Sequence, residues 1–205
     1  DGAGTFVEHE ISTDANGATS VHSADIDGDG DMDVLSASRY DNKIAWYENT
    51  DGAGTFVEHE ISTNASGAYS VHSADIDGDG DMDVLSASYS DDKIAWYENT
   101  DGAGTFVEHG ISLSADDAAN VHSADIDGDG DMDVLSASYG DNKIAWYENL
   151  GFGPSFTSGG AVTSVEDGGI ETISSWATDI DANVGLGLNF VITPADASMF
   201  SASPA

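Results

Sequence analysis

Five aspartates stand within nine residues in the stretch DIDGDGDMD at Asp25 to Asp33, and the same letters recur at Asp75 to Asp83 and Asp125 to Asp133. Carboxylates packed this closely repel one another, so such a loop is strained unless a cation draws them together. Asp25, Asp27 and Asp29 hold positions 1, 3 and 5, where alternate side chains of a tight turn converge on one point. Gly28 and Gly30 permit the backbone angles of a sharp wrap. Asp33 at position 9 offers one or two oxygens, and the carbonyl of Asp31 at position 7 offers another. The same reading applies to Asp75, Asp77, Asp79, Asp81 and Asp83, and to Asp125, Asp127, Asp129, Asp131 and Asp133. Six or seven hard oxygen ligands favour calcium over transition metals, and over magnesium, which keeps its waters. The expectation is one Ca²⁺ per repeat, three in all, each holding its loop in shape. The pattern is related to an EF-hand loop but differs from it: position 12 is Ser36 instead of glutamate, and both flanks read as strand. Extracellular calcium modules bind at roughly 10⁻⁴ to 10⁻³ M, so a loop of this kind fills outside a cell and empties in the cytosol.

The elements that must position these loops come from a repeat. Blocks 1–50, 51–100 and 101–150 all begin DGAGTFVEH and all carry KIAWYEN before their last residue. A fixed period of this size marks supersecondary units that bury their faces against one another. Within KIAWYEN the side chains alternate: Ile44, Trp46 and Glu48 share one face, and Ala45, Tyr47 and Asn49 the other. Similar short segments are TFVEHEIS, SVHSADI and DVLSAS, each bounded by Gly, Asp or Asn turn residues. Four short strands per repeat, with no helical period anywhere, fit one blade of a β-propeller.

The predicted fold is all-β: three four-stranded propeller blades over residues 1–163, with 151–163 supplying the last outer strand, then a partial β-sandwich over 164–205. About 42 residues fall short of the roughly seven strands that a complete sandwich needs.

With 39 acidic and 4 basic residues the net charge is −35, which disfavours nucleic acid and anionic membrane surfaces as partners and favours cations. No cysteine is present, so disulfides and Cys-containing zinc sites are excluded. No apolar run approaches the roughly 20 residues of a membrane span. The chain starts inside a repeat, so a leader or further blades would lie upstream.

The run SADIDGDGDMDVLSAS, preceded by a GTF strand and followed by KIAWYEN, resembles the FG-GAP or VCBS propeller repeats of integrin α-chain heads and many secreted bacterial proteins. The resemblance covers about residues 1–160. It implies a blade with SVHSADI innermost, the calcium loop next, then DVLSAS, KIAWYEN, and the following block's TFVEHEIS as the outer strand. Residues after 163 resemble the Ig-like or cadherin-like modules that accompany such repeats. This strand order leaves block and blade boundaries out of phase, with Thr5 to Ser12 an outer strand whose blade is missing. Three blades cannot meet around an axis, so the expectation is either a fragment of a longer array, the favoured case, or a homo-oligomer that completes a ring.

Blocks one and two differ only in two windows, around residues 14–19 and 39–42 and their equivalents, and the third varies mainly there. Both windows fall on the side opposite the acidic loops. They carry Arg39, Tyr40, Tyr69, Tyr89 and Tyr139, a mixture suited to sugar rings or a peptide; drift after duplication is the simpler account of the variation. His22, His72 and His122 recur on the innermost strand, where a structural role is favoured over metal ligation, and Trp46, Trp96 and Trp146 suit packing between blades. No nucleophile elbow, phosphate loop or zinc-ligand spacing is present, and the loop carboxylates are committed to the ion. The reading is a secreted or cell-surface, non-enzymatic, calcium-binding protein of adhesion or ligand binding, its partner a glycan or an extracellular protein. The alternatives are a non-catalytic region of a larger secreted hydrolase or lyase, and a structural spacer.

Overall fold

The computed structural model describes residues 4–151. The expected strand at 151–163 and the sandwich at 164–205 lie outside the described residues, apart from Gly151. The described chain is all-β, in three antiparallel sheets. The first contains β1 (Ala18–Ala24), β2 (Asp33–Ser38), β3 (Lys43–Asn49) and β4 (Phe56–Ser62), hydrogen-bonded in chain order. The second repeats the order with β5 (Ala68–Ala74), β6 (Asp83–Ser88), β7 (Lys93–Asn99) and β8 (Phe106–Ser112). The third contains β9 (Ala118–Ala124), β10 (Asp133–Ser138) and β11 (Lys143–Tyr147). No helix among the described residues is long and apolar enough to cross a membrane.

The first two sheets each take their fourth strand from the next block, as the phase of the repeats requires. β3 pairs with β4 in the register Trp46↔His59 and Glu48↔Val57, and β7 with β8 as Trp96↔His109 and Glu98↔Val107. Thr5 to Ser12 has the same sequence as Thr55 to Ser62 but forms no strand. Among the described residues no strand lies beside it, and an extended segment forms a hydrogen-bonded ladder only against another strand.

The sheets stack through their innermost strands, with β5 against β1 and β2, and β9 against β5 and β6. Because successive residues of a strand face opposite ways, each sheet contributes to two cores. Ile26, Leu35, Ile44 and Trp46 of the first sheet meet Val71, Val84, Ala95 and Tyr97 of the second. Leu85, Ile94 and Trp96 on the second sheet's other side meet Val121 and Val134 of the third. The faces read from KIAWYEN are therefore the faces that pack. Trp46 also reaches the turn 101–104 between β7 and β8 of the second sheet, where a Cβ on Gly104 would collide with its ring. That turn holds φ at +92° for Gly104, so both backbone and packing require glycine.

Candidate metal loops and the opposite face

The loop between β1 and β2 is wound by its own aspartates. Asp27 and Asp29 accept from the backbone N–H groups of Asp29 and Asp31, at 3.2 and 2.8 Å, and Asp25 accepts from that of Gly30 at 3.1 Å. These bonds require left-handed backbone at Gly28 (φ 71°) and Gly30 (φ 96°), and the second and third loops repeat both. The winding brings carboxylate oxygens together. Asp25, Asp27 and Asp29 offer ligand atoms within 4.8 Å of one another in the first loop; Asp75, Asp77 and Asp83 do so in the second, and Asp125, Asp127 and Asp133 in the third.

Two observations indicate that such clusters suit a cation. Asp25 Oδ1 is buried and accepts no hydrogen bond from the protein, a costly state for a carboxylate oxygen that an ion would remedy. Burial, with the charges of Asp83, Asp79 and Asp75 around it, pushes the Asp77 carboxyl up to about 6 against the pull of the Asp79 N–H. Asp27 is raised for the same reasons, burial first. A hard divalent ion supplies the opposite charge and the missing ligand, and all-oxygen donors suit calcium.

Position 9 does more than the spacing suggests. Asp33 is fully buried; its Oδ2 accepts from the Ile26 N–H at 3.0 Å and its Oδ1 from the Asn49 N–H at 2.8 Å. Asp83 and Asp133 make the same pair of bonds to Ile76 and Asn99, and to Ile126 and Asn149. This aspartate therefore pegs the loop to the end of the third strand, and in the second and third loops, as Asp83 and Asp133, it also offers an oxygen to the cluster. Burial raises the Asp83 carboxyl, whereas in Asp133 burial is outweighed by the Asn149 and Ile126 N–H groups and the value falls. Asp31, Asp81 and Asp131 send no side-chain oxygen into the clusters. Their carboxylates lie against Gly52, Gly102 and Gly151, leaving the position 7 carbonyl as the donor expected of them.

The asparagine closing KIAWYEN is a functional residue that the spacing of the aspartates does not reveal. Asn99 donates its N–H to Asp83, and its Nδ2 to Met82 O at 3.3 Å and to Ile26 O at 2.9 Å; its Oδ1 accepts from the Gly104 N–H. Ile26 belongs to the preceding repeat's acidic loop, so this side chain latches one loop to the next sheet. Asn149 makes the same bond to Ile76 O at 2.8 Å. The signal available was the unvarying Glu-Asn at 48–49, 98–99 and 148–149.

The variable windows lie at the other end of the strands. Arg39 and Tyr40 donate backbone N–H groups to Gly17 O and Asn16 O, so the two windows of one repeat are joined. Across repeats, Arg39 sits 4.9 Å from the Tyr89 ring centroid and 5.7 Å from that of Tyr69, and the two tyrosines are 5.6 Å apart. Tyr89 donates its hydroxyl to Asp117, which raises its pKa. Tyr139 is exposed and close enough for its charge to act on Tyr89. Tyr40 stands apart, covering Gly17. Of the five candidates, then, Arg39, Tyr69 and Tyr89 form one cluster, Tyr139 borders it and Tyr40 does not join it. Asp92, Asp116 and Asp117 form a further acidic group on this side. The histidines of the innermost strands stack in a row, His22 to His72 at 4.5 Å and His72 to His122 at 4.2 Å. Burial, reinforced by the neighbouring rings, lowers His72 to about 4.

Stacked antiparallel sheets of four, four and three described strands, each with an aspartate-rich loop between its first two strands, define a propeller-like repeat protein with a candidate cation site per repeat. The chain matches the FG-GAP-like repeat family over residues 1–36, 25–86 and 75–136, more than half its length. It belongs to that family. Each of the later two matches starts at an acidic loop and ends just past the next, so the family's unit bridges two sheets as the latch of Asn99 does. No curated protein matches the chain.

Proposed function

We propose that the chain is a calcium-stabilised, non-enzymatic repeat region of a secreted or cell-surface protein, and that it binds a carbohydrate or protein ligand through the face opposite its calcium loops. The observation that carries the calcium reading is the carboxylate cluster found in each of the three loops, wound by the same pair of left-handed glycines and holding an unpartnered buried oxygen in the first copy. Supporting the ligand reading is the cluster of Arg39, Tyr69 and Tyr89, built from two repeats. Aromatic faces beside a guanidinium suit sugar rings and extended peptides.

The first test is calcium withdrawal. At 10 mM calcium and a Kd of about 10⁻⁴ to 10⁻³ M, each site contributes roughly 1.4–2.7 kcal/mol, or about 4–8 kcal/mol over three. Chelation should lower the melting temperature by more than about 10 °C; an unchanged melt ends the calcium reading. The second test is a glycan and matrix-protein screen with and without calcium, repeated on the variant carrying Tyr69→Ala, Tyr89→Ala and Tyr139→Ala. Binding by the parent alone supports the assigned face. Equal binding by both moves the site elsewhere, and an empty screen leaves the chain as a spacer.

A further inference from the structure

Three identical residues occupy one position on three neighbouring strands. His22, His72 and His122 lie opposite Leu35, Leu85 and Leu135 on β1, β5 and β9, the innermost strand of each sheet. The strands are tied together just before the rings. The Ser20 hydroxyl accepts from the Val71 N–H and the Ser70 hydroxyl from the Val121 N–H, both at 3.3 Å, and the Thr19 hydroxyl donates to Ala68 O at 3.0 Å. These bonds set the rings side by side, 4.5 and 4.2 Å apart between centroids and inclined at 57° and 53°. A histidine with a structural role hydrogen-bonds through its ring, as His59 and His109 do to Glu48 and Glu98 at 2.8 and 2.7 Å. Among the described residues none bonds a ring nitrogen of His22, His72 or His122, and none of these nitrogens is closed off from solvent. The structural role that the sequence favours for them therefore has no bond to carry it.

We infer that this row is a second kind of metal site, in which His72 and one neighbour, His22 or His122, ligate a borderline divalent cation of the Zn²⁺, Ni²⁺ and Cu²⁺ class. Imidazole nitrogen suits these ions, whereas calcium takes oxygen. With metal–nitrogen bonds of about 2.0–2.1 Å, two imidazoles side by side on one ion place their centroids roughly 4.5–5 Å apart, close to the spacing present. The nitrogens of all three rings do not fall within 4.8 Å of one another, as the loop carboxylates do, so two rings bind at a time and water fills the remaining positions. His72 is the ligand common to both arrangements. Charge favours the ion. Burial, with the neighbouring rings adding to it, lowers His22 and takes His72 to about 4, so both are neutral at pH 7 and present a lone pair. The four basic side chains are engaged elsewhere: Arg39 over Tyr69 and Tyr89, Lys43 and Lys93 with Glu58 and Glu108, and Lys143 with Asp141. No fixed cation competes for the row, and a net charge of −35 draws cations to the protein.

The test uses the whole chain in about 10 mM calcium, which occupies or competes for the loop carboxylates. Titration with zinc, followed by calorimetry, should show saturable binding of one ion per chain. Copper in place of zinc should give nitrogen hyperfine splitting in its electron paramagnetic resonance spectrum. Loss of the outer partner of a metal-bound histidine already costs about 10–100-fold in affinity, so His72→Asn, which removes the common ligand itself, should cost about 100-fold or more. The paired variant His22→Asn with His122→Asn leaves His72 alone and should lose the ion as fully, while either single change weakens binding less. His59→Asn, whose ring is already engaged by Glu48, should bind as the parent does. Circular dichroism and the melting curve in calcium establish that each variant is folded; if His72→Asn fails to fold, the paired variant, which changes less buried rings, carries the test. Absence of saturable zinc binding overturns the inference, as does a copper spectrum of oxygen ligands alone. Parent-like affinity in a folded His72→Asn or in the paired variant overturns it too, by placing the ion among the carboxylates.

Discussion

Replacing Asp83 by asparagine separates a peg from a ligand. A residue that only coordinates an ion contributes nothing to the calcium-free protein, and removing its charge from a crowded acidic loop should then stabilise that state. Asp83 instead accepts two buried backbone N–H groups, from Ile76 at 2.9 Å and Asn99 at 2.8 Å. An asparagine keeps one acceptor and turns an amide N–H₂ toward the other donor. A buried donor left unsatisfied costs about 1–3 kcal/mol, so Asp83→Asn should lose about that much and Asp83→Ala, which abandons both donors, about 2–6 kcal/mol. Burial already holds the Asp83 carboxyl above its ordinary value; relief of that charge offsets part of the loss and places Asp83→Asn near the lower end. The assay is urea unfolding in excess chelator, followed by near- and far-ultraviolet circular dichroism, with the parent alongside. The expected order is parent, then Asp83→Asn, then Asp83→Ala, with the gaps widening in calcium. Equal or greater stability of both variants in chelator would refute the peg and return position 9 to a ligand alone.

Trp46→Ala should cost about 3–5 kcal/mol and split the unfolding transition, since this ring joins the first sheet's core to the β7–β8 turn of the second sheet; a small, uniform shift in melting temperature would contradict that role. Lowering of the His72 pKa from 6.5 to about 4 means that the unfolded chain takes up the proton first as the pH falls, so this group's contribution is whole above pH 6.5 and is lost on approach to pH 4. After allowance for its partial exposure the loss is about 1–2 kcal/mol. His72→Asn should flatten the stability profile by that amount between pH 7 and 4.5, and a parallel profile would remove the stacked row as its cause.

The strands were legible because their signal is local: period-two alternation within KIAWYEN and DVLSAS, and Gly or Asp punctuation at each end. Ile44 and Trp46 pack forward as that alternation requires, while Ala95 and Tyr97 pack back. The convergence of Asp25 and Asp27, and of their counterparts in the other two loops, was legible too; the third member was not fixed by spacing, being Asp29 in the first loop and Asp83 and Asp133 in the others. The double role of Asp83 was not legible, because an aspartate that accepts N–H groups and one that coordinates an ion have the same letter and spacing. Only its burial and its two donors distinguish them. The Arg39, Tyr69 and Tyr89 cluster depends on how neighbouring sheets stack, and no single block contains it. Nor does local pattern tell Thr5 to Ser12 from Thr55 to Ser62, whose letters are identical; pairing is a property of what lies alongside.

The offset between block and sheet bears on how such a gene changes. Excising residues 51–100 would join Thr50 to Asp101 and set β8 beside β3, with Phe106 to Ser112 replacing Phe56 to Ser62 and differing only at Gly110 for Glu60. Every pairing and latch would find an equivalent partner, and inserting a block would do the same in reverse. Unequal crossing-over between such near-identical segments therefore changes the number of repeats without passing through a product that lacks a strand.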